Sequence, residues 1–192
     1  GGEIQLEWPL GHVVAKSLEV LRSPLIRGDL LAYVKERRNI IEEVSLEVVE
    51  RSGKPRSLAN LSGFSGMAWG PDGTHLLTAG GGGDPVGRPG LGEARVWEAA
   101  TGKEILALKG HNRGVASGAW SPDGKRILTG SQDGTARVWD AQTGRELLLL
   151  RGHIGAVGSG AWSPDGKRIL TGGLDDETVR VWDTEAGQEL LS

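Results

Sequence analysis

The chain has 192 residues, 22 basic and 25 acidic groups, a formal net charge of -3 and no cysteine. That length allows one or two ordinary domains with a real core. The charge balance argues against nucleic acid as the main partner, because the basic pairs Arg37-Arg38, Lys125-Arg126 and Lys167-Arg168 are short and dispersed, and the lack of cysteine excludes disulfides and thiol chemistry.

In chain order, Glu3–Leu10 followed by Gly11-His12 reads as the last strand of a repeat, by its likeness to Glu104–Leu108 before Gly110-His111. Leu18, Leu21, Leu25, Leu30-Leu31 and Val34 are irregularly spaced, and Pro24 and Gly28 interrupt any continuous helix. Val44–Val49, the turn at Ser52-Gly53 and Ser57–Leu61 read as the third and fourth strands of a degenerate repeat. Residues 1–60 therefore have two readings, a divergent four-stranded unit or a short helical cap or adaptor.

A clearer unit runs over 61–110, with Gly66–Trp69, the turn Gly70-Pro71-Asp72-Gly73, His75–Ala79, Ala94–Trp97 and Glu104–Leu108. Between Gly80 and Gly92 it carries the irregular loop GGGGDPVGRPGLG, read as a tolerated insertion or a partner-binding excursion. The next unit, 111–152, runs through Val115–Trp120, the turn Ser121-Pro122-Asp123-Gly124, Arg126–Gly130, Thr135–Trp139 and Glu146–Leu150. Proline presets each turn, glycine accepts its positive-φ corner, and β-branched and aromatic residues favour the flanking strands.

The last unit, 153–192, repeats this course, and AWSPDGKRILTG at Ala119–Gly130 recurs without change at Ala161–Gly172, 42 residues later. The Arg-Val-Trp-Asp segments, Arg137–Asp140 and Arg180–Asp183, are 43 apart, so the turn Leu174–Glu177 is enlarged by one residue. Units of this size bury their apolar faces against neighbours, which places function on an assembled surface.

Gly110-His111, Gly152-His153, Trp139-Asp140 and Trp182-Asp183, with SPDG and RILTG between them, resemble the WD40-repeat family, clearly over 61–192 and weakly over 1–60. The resemblance implies an all-β fold, a β-propeller of four-stranded blades, about four of them in this chain. It also implies a structural hydrogen-bond network. One set is His111, Thr129, Asp133 and Trp139; the second is His153, Thr171, Trp182 and either Asp175 or Asp176, since the added residue preserves a different spacing for each. In the unit before them Asn60 stands at the histidine position and Glu98 follows Trp97 in place of aspartate, so that network is expected to be incomplete.

The recurrence of these histidines and aspartates favours architecture over catalysis, and no catalytic, metal or cofactor site is expected. Ser121 and Ser163 read as turn residues, and Gly80–Gly83 lacks the Lys-Ser/Thr ending of a phosphate-cradling loop. No apolar run approaches membrane-spanning length and GGEIQLEW lacks the regions of a secretory signal, so a cytoplasmic chain off the membrane is expected.

The expected function is a non-catalytic protein-interaction scaffold that binds proteins or peptides through loops at repeat edges, with Asn112, Arg113, Gln132, Ile154 and Leu174 as candidate contacts. The alternative is a regulatory adaptor, or part of a larger signalling or effector protein. Four blades leave open edges, so closure as a homo-oligomer, most simply a dimer forming an eight-bladed ring, is also expected, with a closed four-bladed monomer or part of a larger chain as the alternatives.

Overall fold

The structure, a computed structural model, describes residues 4–7, 13–17, 20–27, 30–38, 42–50, 56–61, 64–81 and 91–192. It divides into two compact units, one of Gly1–Ser62 with Glu98–Lys103, the other of Gly63–Trp97 with Glu104–Ser192. Among the described residues every regular element is a strand.

In the first unit β1 (Ile4–Glu7) pairs with β2 (Val13–Ser17) in a two-stranded antiparallel sheet. The opening strand was expected to complete another blade; here its partner is β2. A four-stranded antiparallel sheet follows, β3 (Val20–Arg27), β4 (Leu30–Arg38), β5 (Glu42–Glu50) and β6 (Arg56–Leu61), in sequential order. This is the four-stranded alternative for the region; no helical cap is formed by the described residues. Pro24, expected to break a helix, lies in edge strand β3 where the pairing slips between Arg22 and Leu25. An edge bulge suits proline, which has no N–H to give to the ladder.

The second unit holds three more four-stranded antiparallel sheets. The first comprises β7 (Gly66–Trp69), β8 (His75–Gly81), β9 (Gly92–Glu98) and β10 (Glu104–Lys109). The second comprises β11 (Val115–Trp120), β12 (Arg126–Ser131), β13 (Thr135–Asp140) and β14 (Glu146–Arg151). The third comprises β15 (Val157–Trp162), β16 (Arg168–Gly173), β17 (Val179–Asp183) and β18 (Glu189–Leu191). The loop between Gly81 and Leu91 lies outside the described residues apart from its ends.

The Pro-Asp-Gly turns close each first hairpin by the same bonds. Ser121 N donates to Arg126 O at 2.9 Å and Gly124 N to Ser121 O at 2.9 Å, with Gly124 at φ 71°. Asp123 Oδ1 accepts from Ser121 Oγ at 2.6 Å and from Lys125 N at 3.1 Å, so the short carboxylate satisfies donors the turn would leave unpaired. Ser163–Gly166 reproduces these backbone bonds.

Two apolar layers join the three sheets. Leu77, Ala79, Val96 and Leu108 of the first pack with Val115, Ile127 and Trp139 of the second. Leu128, Ala136, Val138 and Leu150 of the second pack with Val157, Ile169 and Trp182 of the third. Leucine enters glycine at each contact: a β-carbon at Gly118 would lie 2.8 Å from Leu77 Cδ2, and one at Gly160 2.8 Å from Leu128 Cδ2. Strand β12 is consequently buried on both faces, from Ile127 through Ser131, whereas β16 alternates between buried and exposed.

Candidate functional site: a hydrogen-bonded rim and an inter-sheet cleft

The loop before β11 and the β12–β13 turn lie side by side, locked by one aspartate. Asp133 Oδ2 accepts from His111 Nδ1 at 2.9 Å and from the backbone N–H of Asn112 at 3.0 Å, while its Oδ1 accepts from Thr135 Oγ1 at 2.6 Å. The other imidazole nitrogen, Nε2, lies 2.8 Å from Thr129 Oγ1, which accepts the indole N–H of Trp139 at 2.8 Å. A neutral imidazole completes the chain in one direction. Trp139 donates to Thr129, the threonine hydroxyl to Nε2, and Nδ1–H to Asp133.

Electrostatics agree with that proton placement. Burial lowers the His111 pKa from its ordinary 6.5, outweighing the pull of Asp133 toward the charged form. Burial alone would raise Asp133, but hydrogen bonds from Thr135, Asn112 and His111 hold it at about 2. The glycine of the Gly-His pair has a steric reason, since a β-carbon at Gly110 would lie 2.6 Å from Arg137 Nη1 and 3.1 Å from Trp139 Cη2.

In the next repeat His153 Nε2 lies 2.8 Å from Thr171 Oγ1, which accepts from Trp182 Nε1 at 2.8 Å. Of the two aspartates open at this position, Asp176 takes the place of Asp133: its Oδ2 lies 3.0 Å from His153 Nδ1 and 2.9 Å from the N–H of Ile154. Asp175 instead accepts from Ala156 N at 2.7 Å. The added residue is absorbed in the turn, where Glu177 adopts φ 53°, a left-handed conformation uncommon outside glycine. In the 61–110 repeat Trp97 Nε1 still donates to Thr78 Oγ1 at 2.9 Å; the side chain of Asn60, at the histidine position, lies outside the described residues.

The five candidate contacts lie on these loops. Asn112, Arg113 and Gln132 are exposed, with Gln132 N donating to Gly114 O at 2.9 Å, which ties the two loops of that repeat together. Ile154 is 78% and Leu174 65% exposed, and Leu174 N donates to Ala156 O at 2.8 Å. The loops of consecutive repeats are adjacent, since a β-carbon at Gly134 would lie 3.1 Å from Gly155 O. The five residues thus share one rim.

At the Pro-Asp-Gly turns lies a feature not found by reading for motifs. Arg126 of β12 crosses to the next sheet, its guanidinium carbon 4.6 Å from the centre of the Trp162 ring, its Nη2 donating to Gly166 O at 2.8 Å and Nη1 to Thr184 O at 3.4 Å. One repeat earlier the place of Arg126 is taken by His75, whose ring centre is 6.3 Å from that of Trp120 and whose Nδ1 turns back to Asp72 Oδ2 at 2.5 Å. A cleft of about 440 Å³ remains there, lined by His75, Val96, Ile105, Trp120, Gly124 and Ala141 among others. In the sequence, the alignment of His75 with Arg126 across the repeats is the signal that points to the cleft.

Residues 102–140 and 144–183 match the family described as WD domain, G-beta repeat. Both segments thus match WD40 repeats in sequence. Over 40 residues the chain is 50% identical to mouse (Mus musculus) coronin-7 and, over 40 residues, 48% identical to rat (Rattus norvegicus) coronin-7, each match covering 21% of this chain and 4% of the other protein. In three dimensions the chain is similar to the WD40 repeats of RRP9 and to U3-55K, each with TM-score 0.62 and 20% identity over 70% of this chain and 40% of the other. At that identity the likeness speaks for the fold: the four-stranded sheets resemble WD40 propeller blades. The chain spans well under half the length of these relatives.

Proposed function

We propose that the chain is a non-catalytic scaffold that binds a protein or peptide on the rim formed by the loops at 111–114, 131–134, 153–156 and 174–177. The observation that carries this reading is the pairing of exposed apolar side chains with a fixed backbone: Ile154 and Leu174 are 78% and 65% exposed, while Asp176 and Asp175 bind the loop N–H groups of Ile154 and Ala156. Large apolar groups on preorganised loops bind with little ordering cost. Asn112, Arg113 and Gln132 supply polar contacts at the edge of the same surface. The WD40 match and the likeness to WD40-repeat structures support an interaction role over a chemical one.

The test is cross-linking and mass spectrometry of bound proteins with the full chain and with an Ile154→Ser/Leu174→Ser variant. The expected outcome is loss of a specific partner set at unchanged melting temperature. Identical partner sets for both proteins would overturn the rim assignment.

A second observation favours self-association. In the third sheet of the second unit Leu170 is 46%, Val179 55% and Leu191 68% exposed, whereas the residues equivalent to the first two, Leu128 and Ala136, are each 1% exposed. An apolar sheet face of this kind is matched by another sheet. We take that sheet to come from a second copy, most simply in a dimer. Light scattering coupled to size-exclusion chromatography is expected to give twice the chain mass of 20.3 kDa; a monomer at all concentrations would overturn closure by dimerisation.

A further inference from the structure

We propose that the cleft between the sheets β7–β10 and β11–β14 receives an arginine side chain from a partner peptide, with its guanidinium on the Trp120 ring and donating to the main-chain carbonyls of Gly124 and Ala141. This deepens the scaffold reading above and rests on it. The warrant lies one repeat further along the same chain, where Arg126 makes this arrangement with Trp162, Gly166 O and Thr184 O.

The two clefts have nearly the same walls. Trp120, Gly124 and Lys125 correspond to Trp162, Gly166 and Lys167 within the identical twelve-residue segments, and Ala141 corresponds to Thr184. The walls differ in that Ala141 stands where the other has Thr184 and Ile105 where it has Leu147, and the occupant differs. Histidine is shorter than arginine by most of a flexible stem, and His75 is drawn back by Asp72, so it leaves the far part of the cleft vacant. Among the described residues neither Gly124 O nor Ala141 O accepts a side-chain hydrogen bond, while Gly166 O accepts two, from Arg126 at 2.8 Å and Thr184 Oγ1 at 3.0 Å.

The chemistry of the walls selects the guest. Carbonyl oxygens accept and do not donate, an indole face attracts a weakly hydrated cation, and Val96 and Ile105 line the route with apolar atoms that suit an aliphatic stem. Asp72 and Asp140 also line the cleft, and both carboxyls are held below their ordinary range, so they are ionised at neutral pH. Lys125 is no bar, because its counterpart Lys167 stands in sequence between Gly166 and the strand that follows while Arg126 is bound there. A lysine guest would meet the same ring but lacks the planar fork that reaches two carbonyls at once.

The test is titration of the full chain with the capped peptide acetyl-Gly-Gly-Arg-Gly-Gly-amide and with its citrulline and lysine counterparts, followed through the Trp120 indole N–H resonance, assigned with Trp120→Phe. The arginine peptide is expected to shift that resonance saturably, with citrulline binding about tenfold or more weakly. His75→Arg supplies the guanidinium from within, and should melt at a higher temperature and lose the response; His75→Ala should keep it. Absence of a saturable shift, an equal response to citrulline, loss of the response in His75→Ala or undiminished binding by a folded His75→Arg would overturn the proposal. If the cleft fails while the Ile154→Ser/Leu174→Ser variant still loses its partners, the scaffold reading stands and the arginine site alone falls.

Discussion

Trp139 donates its indole N–H to Thr129 Oγ1 at 2.8 Å, and the same hydroxyl lies 2.8 Å from His111 Nε2, so one buried threonine satisfies two polar groups from two other elements. Replacing it with the isosteric valine would leave both unpaired in a site where Thr129 is fully buried. Thr129→Val is expected to cost about 2–6 kcal/mol, given about 1–3 kcal/mol for each orphaned buried group. The equivalent Thr78→Val, where the hydroxyl serves Trp97, should cost about half as much. Urea denaturation of the two variants checks the ratio.

Acid should destabilise the fold in two stages. His111 binds its proton less readily when folded than at its ordinary 6.5, so its contribution is full above that value and declines as the pH falls below it. Asp133, and Asp72 in the first repeat, sit at about 2 instead of 3.8 when folded; their stabilisation is present above 3.8 and is lost as the pH falls toward 2. Melting temperature against pH should therefore bend downward first below about 6.5 and more steeply below about 4. His111→Asn is expected to flatten the first bend and to shrink the second, since Asp133 loses the bond from His111.

The leucine-into-glycine contacts are sensitive to a single methyl. At Gly160 a β-carbon would lie 2.8 Å from Leu128 Cδ2, and Leu128 is 1% exposed and held on its other sides by the core. Gly160→Ala is expected to destabilise by about 1–3 kcal/mol, the usual cost of overpacking. A combined Gly160→Ala/Leu128→Val variant should recover part of that loss, which calorimetry of the pair and the singles would show.

Leu128 and Leu170 make a controlled comparison, because they occupy the same place in identical twelve-residue segments yet are 1% and 46% exposed. Leu128→Ala is expected to cost about 2–5 kcal/mol and Leu170→Ala under about 1 kcal/mol in the monomeric chain. Chemical denaturation at low protein concentration measures both. A loss at Leu170 that grows with protein concentration would report a second sheet covering that face.

Much of this protein is local chemistry, and local chemistry can be read from sequence. Pro-Asp-Gly turns, β-branched flanks and the recurring tryptophans fix four strands in each of the last three repeats, and the resemblance to WD40 repeats implies the network of His111, Thr129, Asp133 and Trp139 that the structure forms. The degenerate 1–60 region was harder, because Pro24 can break a helix or sit in an edge bulge, and pairing with β4 decides which.

Other features depended on what stands across the interface. Asp175 and Asp176 are chemically alike, and only the path of the enlarged turn gives His153 to Asp176. The identical segments 119–130 and 161–172 differ in burial, in the partners of Trp120 and Trp162 and in the reach of Arg126 and Arg168, although no residue distinguishes them. Sequence sets the backbone turns and hydrogen-bonding groups of each repeat, because those interactions close within a few residues or within one sheet. Burial, the vacant cleft beside His75 and the exposed face at Leu170 are properties of the neighbouring sheet, and only the tertiary structure supplies the neighbour.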